Sequence, residues 1–314
     1  MSKRIAIIGA GISGLSCAYL LSEKNYNITV FAKDFSPNIT SNRAAAFWFP
    51  YHIRNDKRGI NWCRRSYAFY EQLAIDANTG ISMKKLIKVL RKGVVEEEPV
   101  WVEFMPPGAC KIIPQEELVP GVFKAYDVLV PLIETQLFLP YMQNILVEKD
   151  VVFKQKIISS FSELSSFDII INCSALGARE LCNDKTIIPV RGQVALVETD
   201  TSRPVYLDNE MPLYIVPRKD AMIVGGTYEE NVFEEKTEPA TIERILQTAY
   251  NVFPELKERE VIGSWAGLRP YRSEVRVEHE AGTNIIHNYG HGGSGFTLAF
   301  GCAEEVVHLT EKIN

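Results

Sequence analysis

The chain has 314 residues, 46% of them hydrophobic, with a mean hydropathy of −0.04 and a formal net charge of −5. That length buries a large core and suits one large domain or two intertwined ones. The acidic balance, the lack of basic runs and the lack of any apolar stretch near ~20 residues exclude a nucleic-acid footprint, a membrane-surface patch and a membrane span.

Residues 4–8 (RIAII) read as a short apolar strand, Gly9-Ala10-Gly11-Ile12-Ser13-Gly14 as a turn, residues 15–21 as an apolar helix and residues 27–32 as a second strand. This is a βαβ unit carrying the dinucleotide fingerprint in its proper context. The first strand is too short, and too soon followed by glycines, to be a signal peptide. A pyrophosphate is expected on the N–H groups of Gly11 to Gly14, at the positive end of the helix dipole. The acidic residue that usually closes the second strand to hold ribose is displaced: Lys33 follows Ala32 and the carboxylate comes at Asp34. Lys33 is therefore read either as an adenosine neighbour or as a solvated lysine.

Further along, residues 168–172 form a strand leading into the turn Cys173-Ser174-Ala175-Leu176-Gly177. Alternating apolar patterns at 193–197, 214–216 and 221–224 read as strands of a second sheet, with Pro106, Pro107, Pro212 and Pro217 as punctuation. Residues 285–303 place Gly290, Gly292, Gly293 and Gly295 between a strand and an apolar helix starting near Phe296, again a turn whose backbone N–H groups approach a ligand closely. The fold class is α/β, a Rossmann-type cofactor-binding domain interleaved with a mixed-sheet substrate domain. Residues 1–50, 145–190 and 261–314 are assigned to the first and 51–144 and 191–260 to the second. There is one fingerprint, so no second nucleotide fold of the disulfide-reductase kind is expected.

The six cysteines (Cys17, Cys63, Cys110, Cys173, Cys182 and Cys302) lack CxxC spacing and read as reduced core thiols of a cytosolic protein. His287 and His291 lie in a glycine turn without a helical i, i+4 face or a third ligand, so no metal site is assigned and structural hydrogen bonding is expected. Cys173-Ser174 has no His or Asn context for a nucleophile.

The GAGxxGL start, the run Ala44-Ala45-Ala46-Phe47-Trp48-Phe49-Pro50, Pro189-Val190-Arg191-Gly192-Gln193, Tyr214-Ile215-Val216-Pro217, Gly225-Gly226-Thr227, Gly267-Leu268-Arg269-Pro270-Tyr271-Arg272 and the 285–303 stretch stand in the order found in the D-amino-acid oxidase family, which the chain resembles over nearly its whole length. The resemblance implies non-covalent FAD, a D-amino acid and O2 as small-molecule partners, and an imino acid and hydrogen peroxide as products, the Cα hydrogen leaving as hydride to flavin N5. Ammonia and a 2-oxo acid follow by hydrolysis.

Carried over position by position, Arg269 and Tyr214 hold the substrate carboxylate, and the Gly293 carbonyl receives the amine. Phe47 and Phe49 line the pocket with Tyr51 beside them, core packing being the other reading of the two phenylalanines. Gly9, Ala10, Gly11, Ile12, Ser13, Gly14, Lys33, Asp34, Thr40, Ser41, Ala45, Ala46, Ile157, Ser174, Arg276, Gly292, Ser294, Gly295, Phe296 and Thr297 fall at FAD-contacting positions. A bidentate guanidinium on a carboxylate is independent physical support for Arg269, placed just after a strand, a buried ion pair being its alternative. Charge-assisted bonds of ~1.5–3 kcal/mol each predict at least a tenfold loss on Arg269→Ala.

The apolar wall favours neutral substrates. D-Aspartate oxidases carry an extra arginine just after Gly-Gly-Thr, where this chain has Tyr228, although Arg218 is placed to meet a second carboxylate. The lid tyrosine of the animal enzymes has no counterpart, Glu210 standing four residues before Tyr214. Rival readings on the same fold are a D-aspartate or D-glutamate oxidase, a glycine or secondary-amine oxidase, a dehydrogenase, and a non-enzymatic flavin-binding subunit. The last four residues carry no Ser-Lys-Leu type signal, so a cytoplasmic location is expected, and a homodimer is compatible with the resemblance.

Overall fold

The computed structural model describes residues 2–91, 99–118 and 121–313. The chain opens with β1 (Lys3–Ile8), α1 (Ile12–Ser22) and β2 (Tyr26–Ala32). Then come α2 (Lys57–Leu73), β3 (Ile81–Arg91), β4 (Cys110–Ile112), β5 (Val122–Ile133), α3 (Thr135–Glu148), β6 (Val152–Gln155), β7 (Ile169–Asn172) and α4 (Ala178–Leu181). The remainder holds β8 (Ile188–Val197), β9 (Val205–Asp208), β10 (Leu213–Pro217), β11 (Met222–Gly225), β12 (Glu229–Glu230), α5 (Pro239–Val252), β13 (Val261–His279), β14 (Ile285–His291) and α6 (Gly295–Lys312).

The described strands join in one 14-stranded sheet, ordered β4-β5-β3-β9-β10-β11-β8-β13-β14-β7-β1-β2-β6 with β12 added on β8. The wing β14-β7-β1-β2-β6 is parallel throughout. The other wing is antiparallel except where β3 runs parallel to β9. Strand β13 welds the two, pairing with β8 over residues 261–271 and with β14 over residues 271–279. A chain trace that crosses between wings this way is an α/β fold with an interleaved mixed sheet.

β1 is apolar on both faces because both are covered, as a central parallel strand requires. Ile5 and Ile7 join Leu15, Ala18, Leu298 and Phe300 under α1 and α6, while Ala6 and Ile8 face Phe31, Leu164 and Ile170. Each fully buried aliphatic side chain contributes roughly 1.5–3 kcal/mol. Helix α2 is capped by Asp56, whose carboxylate accepts from Gly59 N at 2.8 Å, and is clamped to α6 by Tyr70 Oη donating to Phe296 O at 3.0 Å. Between them runs the arm 44–51, anchored by fully buried Trp48, whose Nε1 donates to Cys63 O at 3.1 Å. The arm thus crosses the junction of the two wings at a fixed height.

Candidate functional site

A cavity of about 900 Å³ runs along that junction, from the β1–α1 turn to β8, β10 and β13. It is at the upper end of the roughly 300–1,000 Å³ typical of cofactor and ligand pockets. It opens at the carboxyl ends of β1 and β7, where ligands of open α/β sheets bind.

At one end the cavity is lined by Gly9, Ala10, Gly11, Ile12 and Ser13. Gly9 has φ +110, and a Cβ there would stand 2.9 Å from the Cys173 carbonyl carbon, so only glycine fits. Helix α1 begins at once, with no acidic side chain in its first turn to compete with an anion. Gly14 lies off the cavity. Its missing Cβ lets the helix sit against the Gly9 carbonyl carbon, 3.0 Å from where that Cβ would be, which corrects the expectation of direct ligand contact to one of packing. Ser41 Oγ accepts from Ile12 N at 3.1 Å, tying the 40–43 turn to the glycine loop. Lys33 and Asp34 both reach the cavity wall with Nζ and Oδ2 4.0 Å apart, and Thr40, Ser41, Ala45, Ala46, Ile157 and Ser174 line its middle. Ser174 Oγ donates to Asn172 Oδ1 at 2.6 Å. The far wall carries Gly292, Gly295, Phe296 and Thr297.

The other end gathers Phe47, Phe49, Tyr51, Tyr214, Arg269 and Gly293. Arg269 lies inside β13, opposite Val190 of β8, not after a strand as the proline suggested. Its Nη1 donates to Thr227 O at 3.0 Å, and the guanidinium lies against Gly192, where a Cβ would stand 2.5 Å from Cζ and Nη1. Tyr214 packs in the same way over Gly225, with Cε2 2.5 Å from the absent Cβ. Among the described residues Arg269 has no carboxylate partner, and it keeps donors free toward the cavity. Burial raises the Tyr214 phenol, opposed by the adjacent Arg269 cation. Burial raises Tyr51 too, with Arg269 opposing and Tyr214 adding. His52 is lowered by burial and then by Arg269. A half-buried guanidinium with neutral neighbours is chemically suited to receive a carboxylate.

The neighbouring arginines stand elsewhere. Arg276, expected at the cofactor, does not line the cavity: it donates to Tyr289 Oη at 2.8 Å and to Glu278 Oε1 at 2.7 Å. Ser294 is also off the wall, its hydroxyl donating to Tyr51 O. Arg191 is buried and ion-paired with Glu229 and Glu238. Arg218 is 1% exposed, paired with Asp220 and donating to Ala44 O and Thr135 Oγ1, so it is unable to meet a second substrate carboxylate. Glu210 accepts from Arg91 N of β3, and the β9–β10 connection is a hairpin closed between Asp208 and Leu213.

His287 sits away from the cavity between Asn172 and Glu280. His291 reaches the wall and bonds Asn288 Oδ1 at 3.0 Å, burial lowering it to about 4. Cys17, Cys63, Cys173, Cys182 and Cys302 are free thiols. No helix among the described residues is long and apolar enough to cross a membrane.

Several cavity residues were not anticipated: Arg43, whose Nη1 donates to Ala266 O at 2.9 Å, and the stacked pair His52 and Tyr228, with ring centroids 5.3 Å apart. In the sequence Gly192 and Thr227 are only parts of motifs; strand pairing and the Arg269 contact give them their role.

Residues 4–309 match the family model described as FAD dependent oxidoreductase. The chain is 36% identical over 313 residues to a D-amino-acid oxidase of Rubrobacter xylanophilus, an alignment covering 98% of this chain and 95% of the relative. It is 34% identical to a D-amino acid oxidase of Dugesia ryukyuensis, covering 98% of each chain. Among solved structures, a glycine oxidase from Geobacillus kaustophilus shares the fold with a TM-score of 0.84 at 18% identity, covering 100% of this chain and 96% of that one.

Proposed function

The chain belongs to the family of FAD-dependent oxidoreductases that includes the D-amino-acid oxidases, and from that premise we propose that it oxidatively deaminates neutral D-amino acids, with O2 as electron acceptor. The observation that carries the substrate class is Arg269, an unneutralised guanidinium held flat against Gly192 at one end of a cavity whose other end is a dinucleotide loop.

The cavity fits FAD held without a covalent bond. The Gly9–Cys173 contact leaves a backbone cradle that a Cβ would fill, and the helix that follows points its N-terminus at it. Gly9 to Ser13, Thr40, Ser41, Ala45, Ala46, Ile157, Ser174, Gly292, Gly295, Phe296 and Thr297 would hold the cofactor, with Lys33 and Asp34 at its adenosine end. FAD supplies the two-electron acceptor chemistry, which no side chain here provides.

This chain's residues then bind and orient. Arg269 takes the substrate carboxylate by charge-assisted bonds, with Tyr214 adding a hydroxyl, and Gly293 O accepts from the amine. Tyr214 enters as a neutral donor, because burial keeps its phenol above the ordinary value. Fixing both ends of the amino acid presents Cα in one orientation, and Phe47, Phe49 and Tyr51 exclude water from it. No general acid or base is needed at Cα when the substrate amine is neutral. The two wings of the sheet support a division in which 1–50, 145–190 and 261–314 hold the cofactor and 51–144 and 191–260 form the substrate domain, with the substrate itself held at their junction by Tyr214 and Tyr51 from one and Arg269, Gly293, Phe47 and Phe49 from the other. The free thiols of Cys17, Cys63, Cys173, Cys182 and Cys302 suit a reducing, cytoplasmic setting.

The test is oxygen uptake and peroxide release with D-alanine, L-alanine, D-methionine, D-aspartate and glycine. Stoichiometric peroxide from D-alanine and D-methionine, with none from L-alanine, is the expected result. Turnover of glycine alone moves the assignment to the glycine-oxidase chemistry of the shared fold.

A further inference from the structure

At the ends of β7, β13 and β14 lies a cluster of thiol, imidazole and carboxylate that the proposed reaction does not use. Cys182, half-buried just after α4, has its Sγ 3.9 Å from His287 Nδ1, and His287 Nε2 meets Glu280 Oε2 at 3.0 Å. An ionised carboxylate only accepts, so Glu280 fixes the proton on Nε2 and leaves Nδ1 as the lone-pair end facing the thiol. On its other side Cys182 Sγ accepts from Asn172 Nδ2 at 3.0 Å. That amide is fixed in turn, because Asn172 Oδ1 accepts at 3.1 Å from Ser174 N, which can only donate.

Nucleophile, base and orienting carboxylate in that order are the parts that activate a thiol. Burial raises the Cys182 thiol, opposed by Tyr289 and Arg276, so at rest it keeps its proton. Burial lowers His287, so its imidazole is neutral at pH 7 and able to take that proton, while the Asn172 amide stabilises the thiolate as it forms. The core thiols are worse placed: Cys17, Cys63, Cys173 and Cys302 are at most 5% exposed, and burial raises Cys17, Cys63 and Cys302. The cluster also stands beside the cavity, since Leu181, one residue before the thiol, and Ser174, whose hydroxyl donates to Asn172 Oδ1, both line it. A half-buried thiol admits a small reactant, and hydrogen peroxide is the product that the proposed oxidase reaction releases there.

We propose that Cys182 is a peroxide-modification site, oxidised to a sulfenic acid with His287 as general base, Glu280 orienting the imidazole and Asn172 holding the sulfur. A sulfur lone pair attacks one oxygen of hydrogen peroxide and the O–O bond breaks. The departing oxygen takes the thiol proton by way of His287 and leaves as water, so thiol and peroxide become sulfenic acid and water. Sulfur loses two electrons and peroxide gains them. The supply of oxidant rests on the oxidase reading of the Arg269 site, whereas the reactivity of the thiol rests on the cluster alone.

The experiment treats the FAD-loaded wild type, His287→Gln and Glu280→Gln with added hydrogen peroxide, traps sulfenic acid with dimedone and maps the adduct by peptide mass spectrometry. The expected wild-type adduct sits chiefly on Cys182. His287→Gln should slow its formation about tenfold or more and Glu280→Gln about threefold or more, with the flavin spectrum intact. Should His287→Gln fail to fold, the wild-type map and Glu280→Gln still decide. No adduct, an adduct chiefly on another cysteine, or a Cys182 rate that neither variant moves by about twofold overturns the proposal. A second arm replaces the added peroxide with D-alanine and oxygen, with catalase as the control. Labelling of Cys182 by added peroxide, with neither labelling nor oxygen uptake from D-alanine, upholds the site and defeats the oxidase reading. Oxygen uptake from D-alanine without labelling of Cys182 by added peroxide defeats this proposal alone.

Discussion

Replacing Gly192 with alanine perturbs the carboxylate receptor without removing a group that touches substrate. The added Cβ would stand 2.5 Å from Cζ and from Nη1 of Arg269. Carbon and nitrogen pack at about 3.5–4.0 Å, so the guanidinium has to retreat by about 1 Å. Such a misplacement of a substrate-holding group costs on the order of 10²-fold, near 3 kcal/mol. Removing the guanidinium outright, in Arg269→Ala, deletes two charge-assisted bonds of about 1.5–3 kcal/mol each, a loss of about 10²- to 10⁴-fold. The assay is steady-state kcat/KM with D-alanine for wild type, both single variants and the double variant. If Gly192 acts through Arg269, the double variant is no worse than Arg269→Ala, because the methyl then has nothing to displace. Unchanged kinetics in Gly192→Ala, or losses that simply add, would refute the reasoning.

Tyr214→Phe removes one donor to the carboxylate and should cost about 10- to 100-fold in kcat/KM, chiefly through KM; an unaltered KM places the hydroxyl outside the contact. Arg218→Met strands Asp220 and the Ala44 carbonyl and should destabilise the fold by about 3 kcal/mol, read as a lower unfolding midpoint, while the preference for D-alanine over D-aspartate stays as it was. A changed preference would return Arg218 to the substrate. His291 carries a proton only below about 4 in the fold, against roughly 6.5 unfolded. The unfolded state therefore takes the proton first: this contribution is complete above pH ~6.5 and is lost as pH falls toward 4, in all about 3 kcal/mol. Urea midpoints at pH 7.5, 5.5 and 4.5 should fall in the wild type and fall less in His291→Gln. Equal slopes for the two proteins would contradict it.

Local signals made the cofactor end of the cavity readable. Gly9 is dictated by a positive φ and a close carbonyl, and such constraints are written in the residue itself. The family resemblance, not any spacing along the chain, brought Tyr214 and Arg269 together, and they meet at one end of the cavity although they lie on different strands. Arg276 misled because β13 changes partners near Tyr271, with a register shift before residue 276, and a count of residues along the strand does not carry that shift. Arg218 misled because, although its pair with Asp220 is local, its burial and its bonds to Thr135 of α3 and to Ala44 O are tertiary. His52 meets Tyr228 only because the arm after Trp48 arrives beside the segment between β11 and β12, a tertiary event with no local signature.

The central claim is that this cavity orients a D-amino acid against FAD through Arg269 and Tyr214. Mixing the yellow protein anaerobically with D-alanine and, separately, L-alanine while following the flavin band tests it most directly. The account predicts rapid bleaching by D-alanine only, lost in Arg269→Ala, with peroxide formed when oxygen is admitted. Bleaching by both enantiomers, or by neither, would contradict it.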